Sequence, residues 1–175
     1  MDSGEYACYI SVAGNLSPED TIPRALVLLE RKCPLHGIST FYRTEAINRP
    51  EQPQYLNGVV SLEYSGDPNV LKYQVLRKIE DALGRVRTDD SYAARPIDLD
   101  VLIFGSLVIN EPDLVLPDPD ILTRPFLAAA LSDLCPGLTL PGRTIRIQEI
   151  LTTEQRRSLI PDMPFTEALR ERFLK

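Results

Sequence analysis

The sequence predicts an α+β fold of the ferredoxin-like type, a βαββαβ sandwich in which one antiparallel sheet carries two helices on one face. Four short β-rich runs, at 6–12, 38–44, 55–64 and 98–104, predict the strands. Two stretches with helical spacing of apolar residues lie between the first and second runs and between the third and fourth. A length of 175 residues suits a single domain, so we expect one domain over 1–175.

The first helix is predicted from its apolar spacing and its prolines. Ser17-Pro18 has the character of a helix start, but Pro23 interrupts it, so the regular helix is expected to begin at Pro23. Its buried face is predicted to comprise Ile22, Ala25, Leu26 and Leu29.

The second helix and the last strand have clearer boundaries. Asp67-Pro68 predicts the helix start and Gly84 its end, with a charged loop at 85–97 before the fourth strand. That strand is mostly apolar and is therefore expected at the centre of the sheet. C-terminal additions are predicted as a short strand near 107–109, a proline-rich loop at 112–119, a helix near 123–134, and one or two further helices, the last from Thr166 to Leu174.

Composition excludes several classes of protein. A net charge of −6 and a pI near 4.9 argue against a nucleic-acid binder, and no apolar run approaches the ~18 residues of a membrane span. Residues 1–5 lack a basic region, so no secretory signal is expected. Three widely spaced cysteines (Cys8, Cys33, Cys135) predict reduced thiols in a cytoplasm. A single histidine, His36, leaves no room for a multi-histidine metal site.

An acid pair at the start of the fourth strand is the most informative motif. Asp98 and Asp100 alternate with apolar residues, so both carboxylates face the same side of the strand. Two aligned carboxylates repel each other unless a cation neutralises them, and hard oxygen ligands suit Mg²⁺. The pair therefore predicts a site for one or two magnesium ions. The alternative is an ordinary surface D-x-D in a turn.

Arginines surround this acid pair in an otherwise acidic chain. Arg85, Arg87 and Arg95 precede it and Arg124 follows it. Guanidinium groups pair bidentately with phosphate oxygens, so the set is typical of a phosphate clamp. The alternative is a solvated charged loop in which Asp89 and Asp90 pair with the arginines. Acids for magnesium together with arginines for phosphate favour phosphoryl-type transfer.

Aromatic and amide groups near strand ends suggest a flat heterocyclic ligand. Tyr55 and Asn57 share one face of the third strand, and Phe41, Tyr42 and Phe126 lie near other strand or helix ends. Core packing is the alternative role for each ring. The chain contains no P-loop motif, no G-x-G-x-x-G and no G-x-S-x-G.

These motifs occur in an order and spacing that resemble the 6-hydroxymethyl-7,8-dihydropterin pyrophosphokinase family over about residues 8–140, leaving 141–175 as a C-terminal helical extension. The matching elements are Asn15-Leu16, Phe41-Tyr42-Arg43-Thr44, Gln52-Pro53, Tyr55-Leu56-Asn57, Ile79-Glu80, Gly84-Arg85-Val86-Arg87, Arg95, Asp98-Leu99-Asp100, Phe104-Gly105, Val108-Ile109-Asn110, Leu116-Pro117 and Arg124-Pro125-Phe126. The resemblance implies a Mg²⁺-dependent transferase of folate biosynthesis. Such an enzyme moves the β,γ-pyrophosphoryl unit of ATP to the pterin hydroxymethyl oxygen and leaves AMP.

The resemblance also implies roles for individual residues. Asp98 and Asp100 match the ligands of two Mg²⁺ ions and, with Arg85 and Arg95, form the expected catalytic set. The expected pterin pocket is Thr44, Tyr55, Asn57 and Phe126, with the ring between Tyr55 and Phe126 and with Asn57 reading its polar edge. The expected nucleotide site is Glu80, Arg77, Arg85, Arg95, Asp118 and Arg124. Loops 45–54 and 85–97 match mobile loops that close over the substrates.

Five positions depart from the family pattern. Ala13-Gly14 stands where Gly-Ser is usual, Arg77 where a helix glutamine is usual, and Thr88 where a basic residue is common. Tyr92 replaces a larger group in the closing loop, and Asp118 replaces a histidine near the nucleotide. Two alternatives therefore stay open: a paralogue acting on a different pterin-like alcohol, and a non-catalytic nucleotide- or pterin-binding module. The expected partners are small molecules only, without nucleic acid or membrane, and the chain is expected to be a cytoplasmic monomer.

Overall fold

A computed structural model describes residues 6–174, and its centre is an antiparallel sheet. The four principal strands are β1 (Tyr6–Gly14), β3 (Tyr42–Thr44), β4 (Tyr55–Tyr64) and β5 (Asp98–Phe104), with β2 (Leu35–Ile38) beside β4. The strand order is β5-β1-β4-β3, and β2 and β3 share the β4 edge. This is the order of a ferredoxin-like sheet, so the predicted fold class is confirmed. The expected central position of the 98–104 strand is wrong, because β5 lies at one end of the strand order and pairs with β1 alone among the described strands. Its residues are apolar because both apolar clusters cover it, one on each face.

The predicted second strand at 38–44 is divided into two. Ser39 bonds to Val59 through its backbone N–H, but the next residues leave the ladder, and the Phe41 N–H bonds instead to Thr166 Oγ1. The Phe41 ring packs over Gly58, where a Cβ would lie 2.6 Å from the ring. The break occurs where the Phe41 backbone bonds to Thr166 and Asp162 instead of β4, a long-range contact that the sequence pattern does not encode.

The first helix, α1 (Pro18–Glu30), begins five residues earlier than predicted and contains Pro23. Pro23 removes one hydrogen bond close to the helix start, where little of the ladder is lost. The first turn is anchored to the rest of the protein: Pro18, Thr21 and Ile22 are buried, and Thr21 Oγ1 donates to the Pro96 carbonyl at 2.6 Å. These tertiary contacts stabilise the helix start at Pro18, although Pro23 had predicted a later start.

The second helical segment has the predicted ends. It comprises α2 (Pro68–Val70), a π-helical stretch at Leu71–Leu76, and α3 (Arg77–Ala82). The Asp67 side chain caps its start by accepting from the Asn69 N–H at 2.8 Å. Gly84 follows its end with φ of +85°, a conformation that favours glycine.

The C-terminal additions differ in detail from the prediction. The expected strand near 107–109 is a hairpin of β6 (Ile109–Glu111) and β7 (Leu114–Leu116), so part of the predicted 112–119 loop is a strand. The expected helix at 123–134 is two helices, α4 (Asp120–Thr123) and α5 (Pro125–Leu134). Pro125 forces Arg124 into an extended conformation, with φ −112° and ψ 101°, and this interrupts the helix.

Two apolar clusters cover the two faces of the sheet. One joins the sheet to α1, the 68–82 helix and α7 (Met163–Phe173), and the other joins it to α5 and the segment around Leu140, Ile147 and Leu151. Before α7 come α6 (Thr153–Ser158) and β8 (Ile160–Pro161), which pairs with β3. No helix within residues 6–174 is long and apolar enough to cross a membrane. Residues 1–5, used above for the leader prediction, lie outside the described residues.

Candidate active site

A cavity of about 580 Å³ opens where the β1, β4 and β5 ends meet the loops. Its lining includes residues predicted for heterocycle and phosphate binding alike: Thr44, Tyr55, Asn57, Arg95, Asp98, Arg124 and Phe126. A smaller cavity of about 90 Å³ adjoins it and shares Ala13, Asn57, Asp98, Arg124 and Phe126. The structure thus brings residues spread over eighty positions of the chain into one cleft.

The acid pair lies on β5 as the alternation predicted. Leu99 and Val101 are buried, while Asp98 and Asp100 point to the cleft and line the smaller cavity. Asp98 accepts from Arg95 Nη1 at 2.9 Å and also pairs with Arg85. The Asp98 carboxylate is therefore neutralised by two guanidinium groups. The alternative of a surface turn is wrong for this pair.

Asp100 has a different environment. No ion pair reaches its carboxylate from the residues the structure describes, and Asp98, Glu80 and Asp118 lie near it. Burial, reinforced by these carboxylates, raises the pKa of Asp100 to about 7. Lys72 acts on Asp100 in the opposite direction and lowers its pKa, but its effect is smaller than that of burial and the neighbouring carboxylates.

Glu80 lies beneath the acid pair and does not line either cavity. It is 2% exposed, accepts from the Leu99 N–H at 2.8 Å, and pairs with Arg85 and Arg87. Burial raises its pKa. For Arg85, burial opposes the charge, but Asp98 and Glu80 outweigh it and raise the pKa. In this structure Glu80 holds Arg85 and the β5 backbone in place.

The other end of the cleft is lined mainly by uncharged side chains, with Glu45 next to Thr44 as the exception. The Asn57 Nδ2 donates to Thr44 Oγ1 at 2.8 Å and to the Tyr42 carbonyl at 3.4 Å. Tyr55 lines the cavity at the start of β4, and burial raises its pKa. Phe126 lies at the start of α5, which the extended Arg124 redirects. All four residues predicted for the pterin pocket therefore line the same cavity.

A buried asparagine connects the two loops beside the cleft. The Asn15 side chain donates to Gln52 Oε1 at 3.1 Å and to the Pro53 carbonyl at 3.2 Å, and accepts from the Arg95 N–H at 2.9 Å. Its neighbour Gly14 is needed for close approach, because a Cβ there would lie 2.3 Å from the Pro96 carbonyl oxygen. One turn after β1 thus sets the positions of both 45–54 and 85–97.

Of the other residues predicted for the nucleotide site, Arg124 and Asp118 line a cavity and Arg77 does not. Arg124 lines both cavities and pairs with Asp120 at 2.9 Å, and Asp118 lines the smaller cavity. Burial raises the pKa of Asp118, although its carboxylate accepts from the Asp120 N–H at 2.8 Å. Arg77 is exposed, lies over the Tyr73 ring at 4.3 Å, and lines neither cavity. The cations near Asp118 are Arg124 and Lys72.

Several cavity residues were not predicted. Ser158 and Leu159 come from the C-terminal extension, and Asp120 adds a further acid. The Asp118-Pro119-Asp120 spacing was visible in the sequence, but no sequence pattern linked 158–159 to the cleft.

Comparison with known proteins decides the family. The model of the 7,8-dihydro-6-hydroxymethylpterin-pyrophosphokinase family matches residues 9–136. This chain belongs to that family. The 2-amino-4-hydroxy-6-hydroxymethyldihydropteridine pyrophosphokinase of Pseudomonas aeruginosa is 35% identical over 136 residues, covering 76% of this chain and 83% of that protein. Its Haemophilus influenzae counterpart is 31% identical and covers 78% of this chain and 86% of that protein.

Solved structures agree on the pyrophosphokinase fold. The wild-type HPPK-DHPS of Plasmodium falciparum superposes with a TM-score of 0.64 at 12% identity, covering 97% of this chain and 46% of that chain. A triple mutant of the same protein gives a TM-score of 0.66 and covers 41% of that chain. The resemblance stated from the D-L-D and G-R-x-R motifs is therefore confirmed for family and fold.

Proposed function

We propose that this protein transfers pyrophosphate from ATP to 6-hydroxymethyl-7,8-dihydropterin, giving AMP and the pterin diphosphate in folate biosynthesis. The observation that carries the proposal is the shared cavity, in which a neutral heterocycle pocket adjoins an acid–arginine cluster in a chain of this family. Its volume lies within the ~300–1,000 Å³ range of small-molecule sites.

Asp98 and Asp100 fit magnesium ions. They provide hard oxygen donors on one face of a rigid strand, and the Asp100 carboxylate lies near three other carboxylates and forms no ion pair with the described residues 6–174. Within residues 6–174 no group of three or more acids, histidines or cysteines is arranged to hold a metal. Two carboxylates are enough for Mg²⁺, which takes its other ligands from water and substrate phosphates. When bound, the ions supply neutralisation of triphosphate charge.

The neutral residues position the acceptor. Tyr55 and Phe126 provide flat faces for the pterin ring, and Asn57, fixed by Thr44 and the Tyr42 carbonyl, presents its remaining amide oxygen to the ring edge. Phosphoryl transfer needs little covalent chemistry from the protein, so orientation of the hydroxymethyl oxygen toward the β-phosphorus is the main contribution here. The new O–P bond forms as the bond between the β-phosphorus and the oxygen bridging it to the α-phosphate breaks; AMP leaves with that oxygen, and the hydroxyl proton is released to solvent.

The arginines stabilise the charge that the reaction redistributes. Arg95 and Arg124 line the cavity, and Arg85 lies behind Asp98. Each is paired with a carboxylate in this structure: Arg85 and Arg95 with Asp98, and Arg124 with Asp120. Binding of phosphate would exchange these partners, and the arginines would then hold the phosphate oxygens bidentately.

We also propose that residues 1–175 act as one domain, as a monomer working on small molecules in the cytoplasm. Three free cysteines fit a reducing compartment. Light scattering at several concentrations checks the oligomeric state, and fractionation of the source cells checks the location.

The deciding experiment measures AMP release from ATP with the purified protein, Mg²⁺ and 6-hydroxymethyl-7,8-dihydropterin. We expect turnover that requires both the pterin and Mg²⁺. Absence of AMP at saturating substrates would refute the proposal. Calorimetry with the pterin and a non-hydrolysable ATP analogue would then distinguish the alternatives: ternary binding without turnover indicates a binding module, and no pterin binding indicates another acceptor.

A further inference from the structure

The segment after α6 lies outside the family match yet borders the substrate cavity. Ser158 ends α6 and Leu159 follows it, and both line the cavity that holds Thr44, Tyr55 and Phe126. The Ser158 hydroxyl is directed back to its own helix, where it donates to the Gln155 carbonyl at 2.8 Å. Leu159 packs partly against the apolar cluster around α5. At this position the chain therefore presents an apolar side chain rather than a hydrogen-bonding group.

This segment is firmly attached to the edge of the sheet. β8 pairs with β3, and the Asp162 N–H donates to the Phe41 carbonyl at 2.8 Å. Thr166 Oγ1 accepts from the Phe41 N–H at 2.9 Å, and Arg170 Nε donates to the Ile38 carbonyl at 2.9 Å. The C-terminal segment thus satisfies backbone groups that the break between β2 and β3 leaves free.

An ion pair joins the segment to the strand that carries a pterin residue. Arg43 donates through Nε to Asp162 at 2.8 Å and through Nη2 to Glu19 at 3.0 Å. Arg43 directly precedes Thr44, whose hydroxyl accepts from Asn57. Asp162 is also the N-cap of α7, accepting from the Phe165 N–H at 3.1 Å. The position of Leu159 is consequently set by the same strand that positions the pocket.

We infer that residues 158–159 form one side of the acceptor pocket, with Leu159 as an apolar contact that selects a flat heterocyclic acceptor. The inference rests on the proposed function, because it assigns the neutral end of the cavity to the acceptor. Leu159 would contact the ring, while the Arg43–Asp162 pair acts as a positioning element. The phosphate end, formed by Asp98, Arg95 and Arg124, lies outside this contact.

The test compares Leu159→Ala with Ile160→Ala, an equivalent truncation at the next residue, which is exposed and does not line the cavity. We expect Leu159→Ala to raise KM for 6-hydroxymethyl-7,8-dihydropterin roughly tenfold, as for apolar groups lost from a specificity pocket. KM for ATP should stay unchanged, and Ile160→Ala should resemble the wild type. Leu159→Asn keeps the number of side-chain heavy atoms but makes the group polar, and it should show the same change in KM; an unfolding temperature near that of the wild type in either variant excludes loss of folding as the cause.

The outcomes separate this inference from the proposed function. The inference is overturned, and the proposed function stands, if the wild type turns over and the three variants share its KM for the pterin. The three variants are Leu159→Ala, Leu159→Asn and Ile160→Ala. A parallel rise in both KM values would indicate a general structural effect and also overturns it. If the wild type gives no AMP, calorimetric titration of the pterin replaces kinetics, and weaker binding only in the Leu159 variants still supports the contact. Failure of the wild type to bind the pterin overturns both.

Discussion

The two ends of the cleft are stabilised by different kinds of interaction. The charged end, comprising Asp98, Asp100, Arg85, Arg95 and Arg124, is held by ion pairs, two of which converge on Asp98. The neutral end, comprising Thr44, Tyr55, Asn57 and Phe126, is fixed mainly by uncharged hydrogen bonds and packing, and Tyr55 adjoins Arg95 where the two ends meet. Under the proposed function, the neutral end would accept a ligand without breaking an ion pair, whereas the charged end would have to exchange protein partners for ligand atoms.

This difference predicts that substitutions at the two ends will change different kinetic constants. Interactions that form only as the charged ligand is bound and reacts should appear in kcat, while preformed contacts to a neutral ring should appear mainly in KM for the acceptor. Substitutions at the two ends therefore test whether the cleft works as two separable halves.

The largest expected effect is the loss of turnover in Asp100→Asn. The substitution removes a carboxylate that forms no ion pair with the described residues and should abolish productive Mg²⁺ binding, lowering kcat roughly a thousandfold. Steady-state AMP release across a Mg²⁺ titration checks this. Asp20→Asn, at an exposed carboxylate on α1, is the matched control. Near-normal turnover of Asp100→Asn would remove Asp100 from the metal site.

A smaller effect is expected at the neutral end from Asn57→Ala. Asn57 is 5% exposed, and its loss leaves Thr44 without its donor and the ring edge without a polar partner. A lost buried hydrogen bond of about 2 kcal/mol corresponds to a rise of roughly thirtyfold in KM for the pterin, with kcat little changed. Asn110→Ala, at an exposed strand position, is the control. A fall in kcat with constant KM would contradict the separation of the two ends.

The acid pair should also oppose folding in the absence of metal. The pKa of Asp100 is about 7 in the folded chain and near 3.8 when unfolded, so stability falls as the pH rises between these values and is lowest above pH 7. Asp100→Asn should therefore raise the free energy of unfolding at pH 8 by on the order of 2 kcal/mol and have little effect near pH 4. Denaturant unfolding with a chelator present measures this. A destabilised variant at pH 8 would show that burial does not disfavour the charge.

Much of this architecture could be predicted because local patterns and tertiary structure agree. Alternation along 98–104 correctly placed Asp98 and Asp100 on one face, and Asp67-Pro68 and Gly84 correctly bounded the second helix. Pro125 was the missed local signal, since the residue before a proline avoids the helical region. That break sets the backbone at Arg124, which lines both cavities.

Other features depended on distant contacts and were not predictable. The early start of α1 depends on the Thr21–Pro96 bond, which joins residues 75 positions apart, and the break between β2 and β3 depends on Thr166 and Asp162. Glu80 matched a nucleotide-site position, but its burial under β5 follows from the packing of the second helix against that strand. The contact of Leu159 with the cavity has the same origin in the long-range pairing of β8 with β3.

The smallest expected effect concerns Asp118, which places an extra carboxylate at the charged end. Its charge faces Asp100 across the smaller cavity and should repel triphosphate, although Lys72 and Arg124 partly offset it. Asp118→His should lower KM for ATP by roughly fivefold, equivalent to about 1 kcal/mol, and leave KM for the pterin unchanged. Asp118→Asn keeps an acceptor for the Asp120 N–H and removes only the charge, so it should give most of the gain if repulsion is the cause. Improvement in the histidine variant alone would instead indicate a direct imidazole contact, and no change in either would show that Lys72 and Arg124 already neutralise Asp118.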